Sequence, residues 1–414
     1  MGTEAESVIL HVDMNNFFAT VSCMMHPELA GKPVAVCGDI EKRHGIILAK
    51  NNLAKQRGVK TGSTIGEARF FCPDLQFLPP DGALYMEYSR RARDIYCGYT
   101  DRVESFGIDE CWLDVTGSLR LFGDGVTIAD DIRRRIREEL GLTASVGVSY
   151  NKIFAKMGSD YRKPDATTLI TRDNFRELLW PLPVDDLLFA GRATKKQLLL
   201  YGINTIGDLA RADFAQIVSL LGKCGAGLWQ FANGLDRTPV RTEDSAPPIK
   251  SIGNGTTAPR DLVSDEDVFI TMRVLSDSVG ARLRAARLRC RTVQIEIRDK
   301  HLSMLSRQCR VPYPTNLAGE ILDAAFSLFR ASYCWDMHNT PIRSLSVRAA
   351  NLEPEDDGAQ LSLDFDIGRH LRTEALERTM DGLRGRYGDR CIRSAVLYSD
   401  PSLSDFTPRT EQCF

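Results

Sequence analysis

The stretch Ser105-Phe106-Gly107-Ile108-Asp109-Glu110-Cys111-Trp112-Leu113-Asp114 constrains this chain more than any other. Val103 to Phe106 reads as an extended run, and Cys111 to Val115 alternates apolar and polar residues as a half-buried strand does. Gly107 permits the tight backbone between them. Two adjacent carboxylates, Asp109 and Glu110, thus stand at the mouth of a strand otherwise made of core residues. Neighbouring strand side chains point to opposite faces, so these two converge only where something binds both. A hard divalent cation, which takes oxygen ligands, is the natural candidate. A solvated acidic turn is the alternative on these residues alone.

The N-terminal stretch bears on that choice. Val8-Ile9-Leu10-His11-Val12 is an apolar run of strand length ending in Asp13, with Met14-Asn15-Asn16-Phe17-Phe18 after it. A buried strand that ends in a carboxylate and leads into a helix presents an acid at a sheet edge. Asp13, Asp109 and Glu110 together make a three-carboxylate site. Such a site suits two Mg²⁺ ions roughly 3.5–4 Å apart, one activating an attacking oxygen and one steadying a leaving phosphate. Alone, Asp13 also reads as a helix N-cap.

The motifs His11-Val12-Asp13-Met14-Asn15-Asn16-Phe17-Phe18 and Ser105-Phe106-Gly107-Ile108-Asp109-Glu110 resemble those of the Y-family translesion DNA polymerases, in their DinB (DNA polymerase IV) branch. The resemblance extends over most of residues 8–350. It implies an α+β multidomain fold: a ferredoxin-like palm with small inserted fingers, a helix–hairpin–helix thumb and an α+β little-finger domain. It implies a DNA-templated DNA polymerase that tolerates damaged template, with Asp13, Asp109, Glu110 and the Met14 carbonyl ligating two Mg²⁺. Two other classes are open on the residues alone. A nucleotidyl cyclase uses a similar palm without a template, and a non-catalytic adaptor would lack the acidic residues, all three of which stand here.

The length of 414 residues exceeds what one hydrophobic core usually supports. The net charge of −2 hides an uneven distribution. Lys250 to Ala350 holds 15 Lys and Arg against 10 Asp and Glu, whereas Asn351 to Asp366 holds six acids and no base. A basic domain before an acidic leash fits a polyanion partner for the first and not for the second. The 11 cysteines are scattered singly, as buried thiols of a reducing compartment are. Met1 to Ser7 lacks the pattern of a secretory signal, and no apolar run reaches the roughly 20 residues of a membrane helix. A cytoplasmic monomer without a membrane partner is expected.

Taken in order, residues 1–32 and 80–173 read as the palm and 33–79 as the fingers. A helix is expected from Phe17 to Leu29. By resemblance Phe18 closes over the sugar edge and excludes a 2′-hydroxyl, since a packed ring leaves no volume for another oxygen; Phe17 also lines the substrate or is core. Short strands at Val34-Ala35-Val36 and Ile46-Ile47-Leu48 alternate with helices at 51–57 and 64–71. There the family carries a Tyr and an Arg on the triphosphate, and this chain carries Asn52 and Lys55. Asn still donates a hydrogen bond, and Lys meets phosphate as a point charge rather than a fork. Helices at 82–98 and 128–140 flank the central strands, and Arg133-Arg134-Arg135 reads as a wet helix face. A strand at 144–148 and a helix follow. Lys163 then matches the family lysine that reaches the triphosphate, but the family's Asn-Gly after the next proline is Asp165-Ala166 here.

Residues 174–236 turn helical, and Gly191 to Leu198 with Gly202 to Leu209 read as helix–hairpin–helix. Amides at such helix starts bind a DNA phosphate without reading sequence, which assigns DNA contact to Gly191, Arg192 and Lys195. Residues 237–250, with Pro239, Pro247 and Pro248, read as an extended linker. In 251–350 a helix carries Leu275, Val279, Leu283 and Ala286 at core spacing, with Arg282 and Arg289 facing away towards DNA. Strands at 291–298, 302–311 and 342–349 put arginines on one face, as a sheet lying along phosphates would. The tail, 351–414, opens on an acidic stretch expected to be disordered. Gln360-Leu361-Ser362-Leu363-Asp364-Phe365 resembles the peptide by which bacterial replication proteins dock on the sliding clamp, with Gln360, Leu361, Leu363 and Phe365 as anchors. A helical segment at 369–387 and a strand-like piece at 392–398 come after it. Primer-template DNA, deoxynucleoside triphosphates and the sliding clamp are the implied partners.

Overall fold

The computed structural model describes residues 6–38, 45–242, 245, 248–338, 340–357 and 366–406. The chain divides into two compact units, split at residue 246.

The first unit opens on β1 (Ile9–Met14), buried along its whole length, and α1 (Phe17–Met24). The helix stops short of the expected Leu29. Pro27 has no amide hydrogen and its ring would clash with the carbonyl four residues back, so Pro27–Leu29 forms a separate 3₁₀ turn. Next come β2 (Val34–Cys37), β3 (Ile47–Lys50), α2 (Asn52–Gln56), α3 (Ile65–Phe71) and β4 (Gln76–Leu78). They build a small sheet in the order β3-β2-β4. At three residues, β4 is too short to show a period-2 pattern in sequence. A Thr64–Glu67 capping box starts α3.

After α4 (Gly82–Cys97) the chain runs through β5 (Val103–Ser105), β6 (Glu110–Asp114), α5 (Leu119–Phe122), α6 (Gly125–Leu140), β7 (Ala144–Ser149), α7 (Lys152–Tyr161) and β8 (Thr167–Leu169). The sheet order is β5-β6-β1-β7-β8. Its first four strands, with α4 and α6 as connections, have the ferredoxin-like order; β8 adds a fifth strand parallel to β7. Ile128, Ile132, Ile136 and Leu140 recur every fourth residue on α6 and are buried together with Tyr88, Ala92 and Ile95 of α4. Helix α7 lies against β7 at backbone distance. A Cβ on Gly147 would stand 1.9 Å from the Ala155 carbonyl oxygen, and one on Gly158 would stand 2.9 Å from the Gly147 Cα.

Helices α8 (Phe175–Leu179), α9 (Arg192–Leu200), α10 (Ile206–Arg211) and α11 (Phe214–Ala232) follow, the last broken at Gly222. Leu198, Ile206, Leu209, Ile217 and Leu228 share their core with Ile153 and Phe154 of α7. The expected linker has no helix or strand among its described residues, yet it starts docked. Val240 is buried with Ile9, Trp112 and Ala155, and the Arg241 amide donates to the Glu104 carboxylate at 3.0 Å.

The second unit is built on β9 (Ser251–Leu262), α12 (Asp265–Ala285), β10 (Leu288–Asp299), β11 (Met304–Thr315), α13 (Ala318–Ser332), α14 (Trp335–His338) and β12 (Ile342–Pro354). The strands pair antiparallel in the order β11-β10-β12-β9. Leu275, Val279 and Leu283 of α12 join Ile321 and Phe329 of α13 in the core over the sheet.

Four expectations change in this unit. Residues 251–262, where no strand was expected, form a full edge strand. The acidic stretch after 350 is ordered as far as it is described: β12 continues to Pro354, Glu353 pairs with Arg291 and Asp356 with Arg287. Counter-charges on β10 and just before it hold what composition alone left free. The helical segment is α15 (Ile367–Tyr387), but 392–398 is no strand. It ends in a 3₁₀ turn at Ala395–Tyr398, ahead of α16 (Pro401–Ser404), and buries Leu397 and Leu403 in the same core. Finally, Arg282 and Arg289 are engaged within the unit. Arg282 donates to the Gly253 carbonyl at 3.0 Å, and Arg289, on β10 rather than on the helix, lies 3.5 Å from Glu374 of α15. No helix among the described residues is long and apolar enough to cross a membrane.

The closeness of α7 to β7 yields a stability prediction. Gly147→Ala forces a methyl into the Ala155 carbonyl, and overpacking of this kind costs about 1–3 kcal/mol or more. Urea unfolding should show a midpoint well below wild type, whereas Gly66→Ala, with nothing within 4 Å of the new methyl, should stay close to it.

Candidate active site

β1 lies between β6 and β7, and its register sets Asp13 opposite Glu110 on one side and Ser145 on the other. The amide of Met14 donates to the Asp109 carbonyl at 3.1 Å, which ties the turn before β6 to the end of β1. Asp13 is therefore not a helix cap; Asn16 occupies that position for α1. The strands bring Asp13, Asp109 and Glu110 to one end of the sheet, as expected.

Two lysines from the α7 segment close on these acids. Lys156 Nζ stands 3.1 Å from Asp13 Oδ2, 2.9 Å from Glu110 Oε2 and 3.2 Å from Asp160 Oδ2. Lys163 Nζ lies 2.8 Å from Asp13 Oδ2 and 2.8 Å from Asp160 Oδ1. Behind them, buried His11 places Nε2 3.3 Å from Glu110 Oε2 and Nδ1 2.8 Å from Ser159 Oγ. Lys156, Asp160 and His11 went unassigned in the sequence. Their signal was there: Lys156, Asp160 and Lys163 follow i,i+4 and i,i+3 spacing, and His11 shares a strand face with Asp13.

The charges are unequal. Four carboxylates (Asp13, Asp109, Glu110, Asp160) face two ammonium groups (Lys156, Lys163), which leaves two negative charges when all are ionised. Asp109 shows the strain most: burial first, then the charges of Asp13 and Glu110, push its pKa up to about 7. Burial also works to raise Glu110, but hydrogen bonding to His11 and the Lys156 charge outweigh it and hold that carboxylate below its ordinary range. Burial lowers His11 despite Glu110, so the imidazole is neutral near pH 7. Burial acts to lower Lys156 and Lys163 too, and the surrounding carboxylates overcome it and raise both.

An all-oxygen donor set with surplus negative charge and a half-buried carboxylate, Asp109, in no ion pair among the described residues fits a divalent metal. Among the described residues, however, no three such side chains are arranged to hold an ion as they stand. The Lys156 ammonium takes the oxygens of Asp13 and Glu110 that an entering cation would need.

Phe17 is buried in the core, while Phe18 is half-buried and stacks on Tyr85, with centroids 4.3 Å apart and planes 15° apart. The Tyr85 hydroxyl is fixed by Ser22 Oγ at 2.6 Å. On α2, Asn52 and Lys55 are exposed, and Asn52 Oδ1 accepts from the Asn16 amide at 2.9 Å. Gly191 is the N-cap of α9 without a side-chain bond, Arg192 is exposed, and Lys195 pairs with Asp185 at 2.8 Å. The Gln360, Leu361, Leu363 and Phe365 anchors lie outside the described residues.

Residues 12–160 match the impB/mucB/samB family, and residues 249–363 match the C-terminal domain of that family. A DNA polymerase IV of Acetivibrio thermocellus is 51% identical over 397 residues, covering 96% of this chain and 99% of that protein. The DNA polymerase IV 2 of Bacillus subtilis is 37% identical over 95% of each chain. Among solved structures, a Y-family DNA polymerase chimera superposes with a TM-score of 0.74 at 23% identity, covering 83% of this chain and 98% of its own, a likeness of fold.

The raised Asp109 pKa has a sign that can be checked. Between an unfolded value of about 4 and the folded value of about 7, the native state binds this proton more tightly. Asp109 thus makes stability fall as pH rises through that window. In chelator, Asp109→Asn should melt above wild type at pH 8, with the gap narrowing towards pH 5. Equal melting at pH 8 would mean that the buried charge costs nothing.

Proposed function

Because the chain belongs to the impB/mucB/samB family, in the DNA polymerase IV branch of the Y-family polymerases, it is a DNA-directed DNA polymerase, and we propose that it extends primers across damaged template with two divalent ions at Asp13, Asp109 and Glu110. The observation that carries this reading is the convergence of the three carboxylates at the end of paired β1 and β6, with Asp109 half-buried and, among the described residues, in no ion pair. When bound, two Mg²⁺ would activate the primer 3′-oxygen and stabilise the leaving pyrophosphate.

The chain's own groups do the rest. Lys156 bridges Asp13 and Glu110 and helps hold Glu110 ionised, and Lys163 contacts Asp13 and the half-exposed Asp160. A triphosphate arriving there would exchange a carboxylate partner of Lys163 for phosphate oxygens. The Met14 carbonyl assists the metals, and Lys55 and Asn52 extend contact to the triphosphate from α2. Gly191, Arg192 and Lys195 meet the DNA backbone through the start of α9. The clamp-like peptide Gln360 to Phe365 recruits the protein to the sliding clamp, and its place of work is the cytoplasm. Arg282 and Arg289 are left out, since both are engaged internally.

Primer extension with and without template tests the core reading. Wild type should add deoxynucleotides only on a template, and Asp109→Ala should abolish addition while primer-template binding stays within a few-fold. Untemplated cyclisation of nucleotide would favour a cyclase, and no turnover an adaptor. For the sugar, Phe18→Ala should raise ribonucleotide use by orders of magnitude with a smaller loss for deoxynucleotides; unchanged discrimination would leave Phe18 a packing residue only. For the clamp, Leu363→Ala with Phe365→Ala should leave the melting temperature unchanged and remove clamp binding. A large melting drop with binding intact would place the peptide in the protein's own core.

A further inference from the structure

The turn that carries Lys163 departs from the family pattern at Asp165-Ala166, and the structure shows what holds it. Asp165 takes the left-handed conformation, φ +53°, which Asp and Asn tolerate better than most residues. Its amide donates to Asn15 Oδ1 at 2.8 Å, and Asn15 in turn donates to Ser145 Oγ at 3.0 Å. Ala166 does not need positive φ, so the family's glycine is dispensable here.

The side chain of Asp165 is seized by α6. Arg133 Nε and Nη2 reach Asp165 Oδ1 at 3.3 and 2.9 Å, and Nη2 also donates to the Asp165 carbonyl. Arg133 Nη1 is fixed in turn by Asp130 Oδ1 at 2.8 Å and Thr167 Oγ1 at 3.2 Å. Arg137 Nη2 takes the other oxygen, Asp165 Oδ2. An asparagine could accept at one oxygen only, and its NH₂ would face the second guanidinium. The carboxylate and the two arginines therefore belong together. Arg133 is mostly buried, unlike the exposed neighbour Arg134, so the Arg133–Arg135 run is not a uniform wet face.

We propose that Arg133 and Arg137 are positioning residues for Lys163: by clamping Asp165 they hold the turn so that the Lys163 amine stays over Asp13 and Asp160, ready for the incoming triphosphate. This rests on the polymerase reading above, and on Lys163 being the triphosphate contact.

The test is a double-mutant cycle in full-length protein on a primer-template. Arg133→Gln should raise the KM for incoming nucleotide about five- to tenfold with kcat within about twofold, as loss of ground-state positioning does. Lys163→Ala should raise KM at least as much, and the double variant should be no worse than Lys163→Ala alone, because both act through one amine. Should Arg133→Gln melt far below wild type, Arg137→Gln, whose side chain is half exposed, carries the same cycle. An unchanged KM in the arginine variants, or a double variant showing the product of the two single effects, overturns the role. A wild type that does not extend primers overturns the polymerase reading and this role with it. Normal extension with additive effects overturns the role alone.

Discussion

The approach of α7 to the sheet is the constraint on which the rest of the first unit depends. Only glycines at 147 and 158 let helix and strand backbones meet with no side chain between them. That closeness brings Lys156 within 3.1 Å of an acid on β1 and 2.9 Å of one on β6. A helix standing at the usual distance from a sheet would take the Lys156 counter-charge away from buried Asp13 and half-buried Glu110. Packing at one point of the backbone thus sets the charge environment of side chains at another.

The counter-charge is incomplete, and the deficit is what makes the site useful. Lys156 and Lys163 answer Asp13, Glu110 and Asp160, while Asp109 is left with burial and two negative neighbours, which push it up to about 7. A fold selected only for stability would replace it with an amide. Keeping a carboxylate there stores unfavourable energy that a bound cation would relieve, the usual signature of a functional rather than a structural acid. The two ammonium groups occupy carboxylate oxygens for which a bound cation would compete.

Much of this was legible in sequence because it lies on short-range patterns. β1, β6 and β7 announce themselves by period, and Asp13, Asp109 and Glu110 by their place at strand ends. What escaped depends on partners distant along the chain. Arg133 looked like Arg134 until Asp165 and Thr167 were placed beside it, and Arg289 looked free until Glu374 arrived from 85 residues away. Tyr85, which supports Phe18, could not be paired with it from either local sequence. Short strands such as β4, and 392–398 with its strand-like composition, were misjudged for a related reason: whether a short apolar run extends or coils is settled by the surface it meets.

The same logic changes how the C-terminal segment acts. Arg284 is almost wholly buried on α12, where it bonds the Asn316 carbonyl, Glu377 and Asp381. Removing both acids would leave a guanidinium in the core with no counter-charge, so α15 is bound to the unit by more than apolar contact. Of the acids read as a leash, Glu353, Glu355 and Asp356 pair with Arg291, Arg378 and Arg287, and Asp366 caps α15 by accepting from the Arg369 amide at 2.8 Å. Composition alone predicts solvated charge for such a stretch, and the cations that engage it stand far along the chain or on another element.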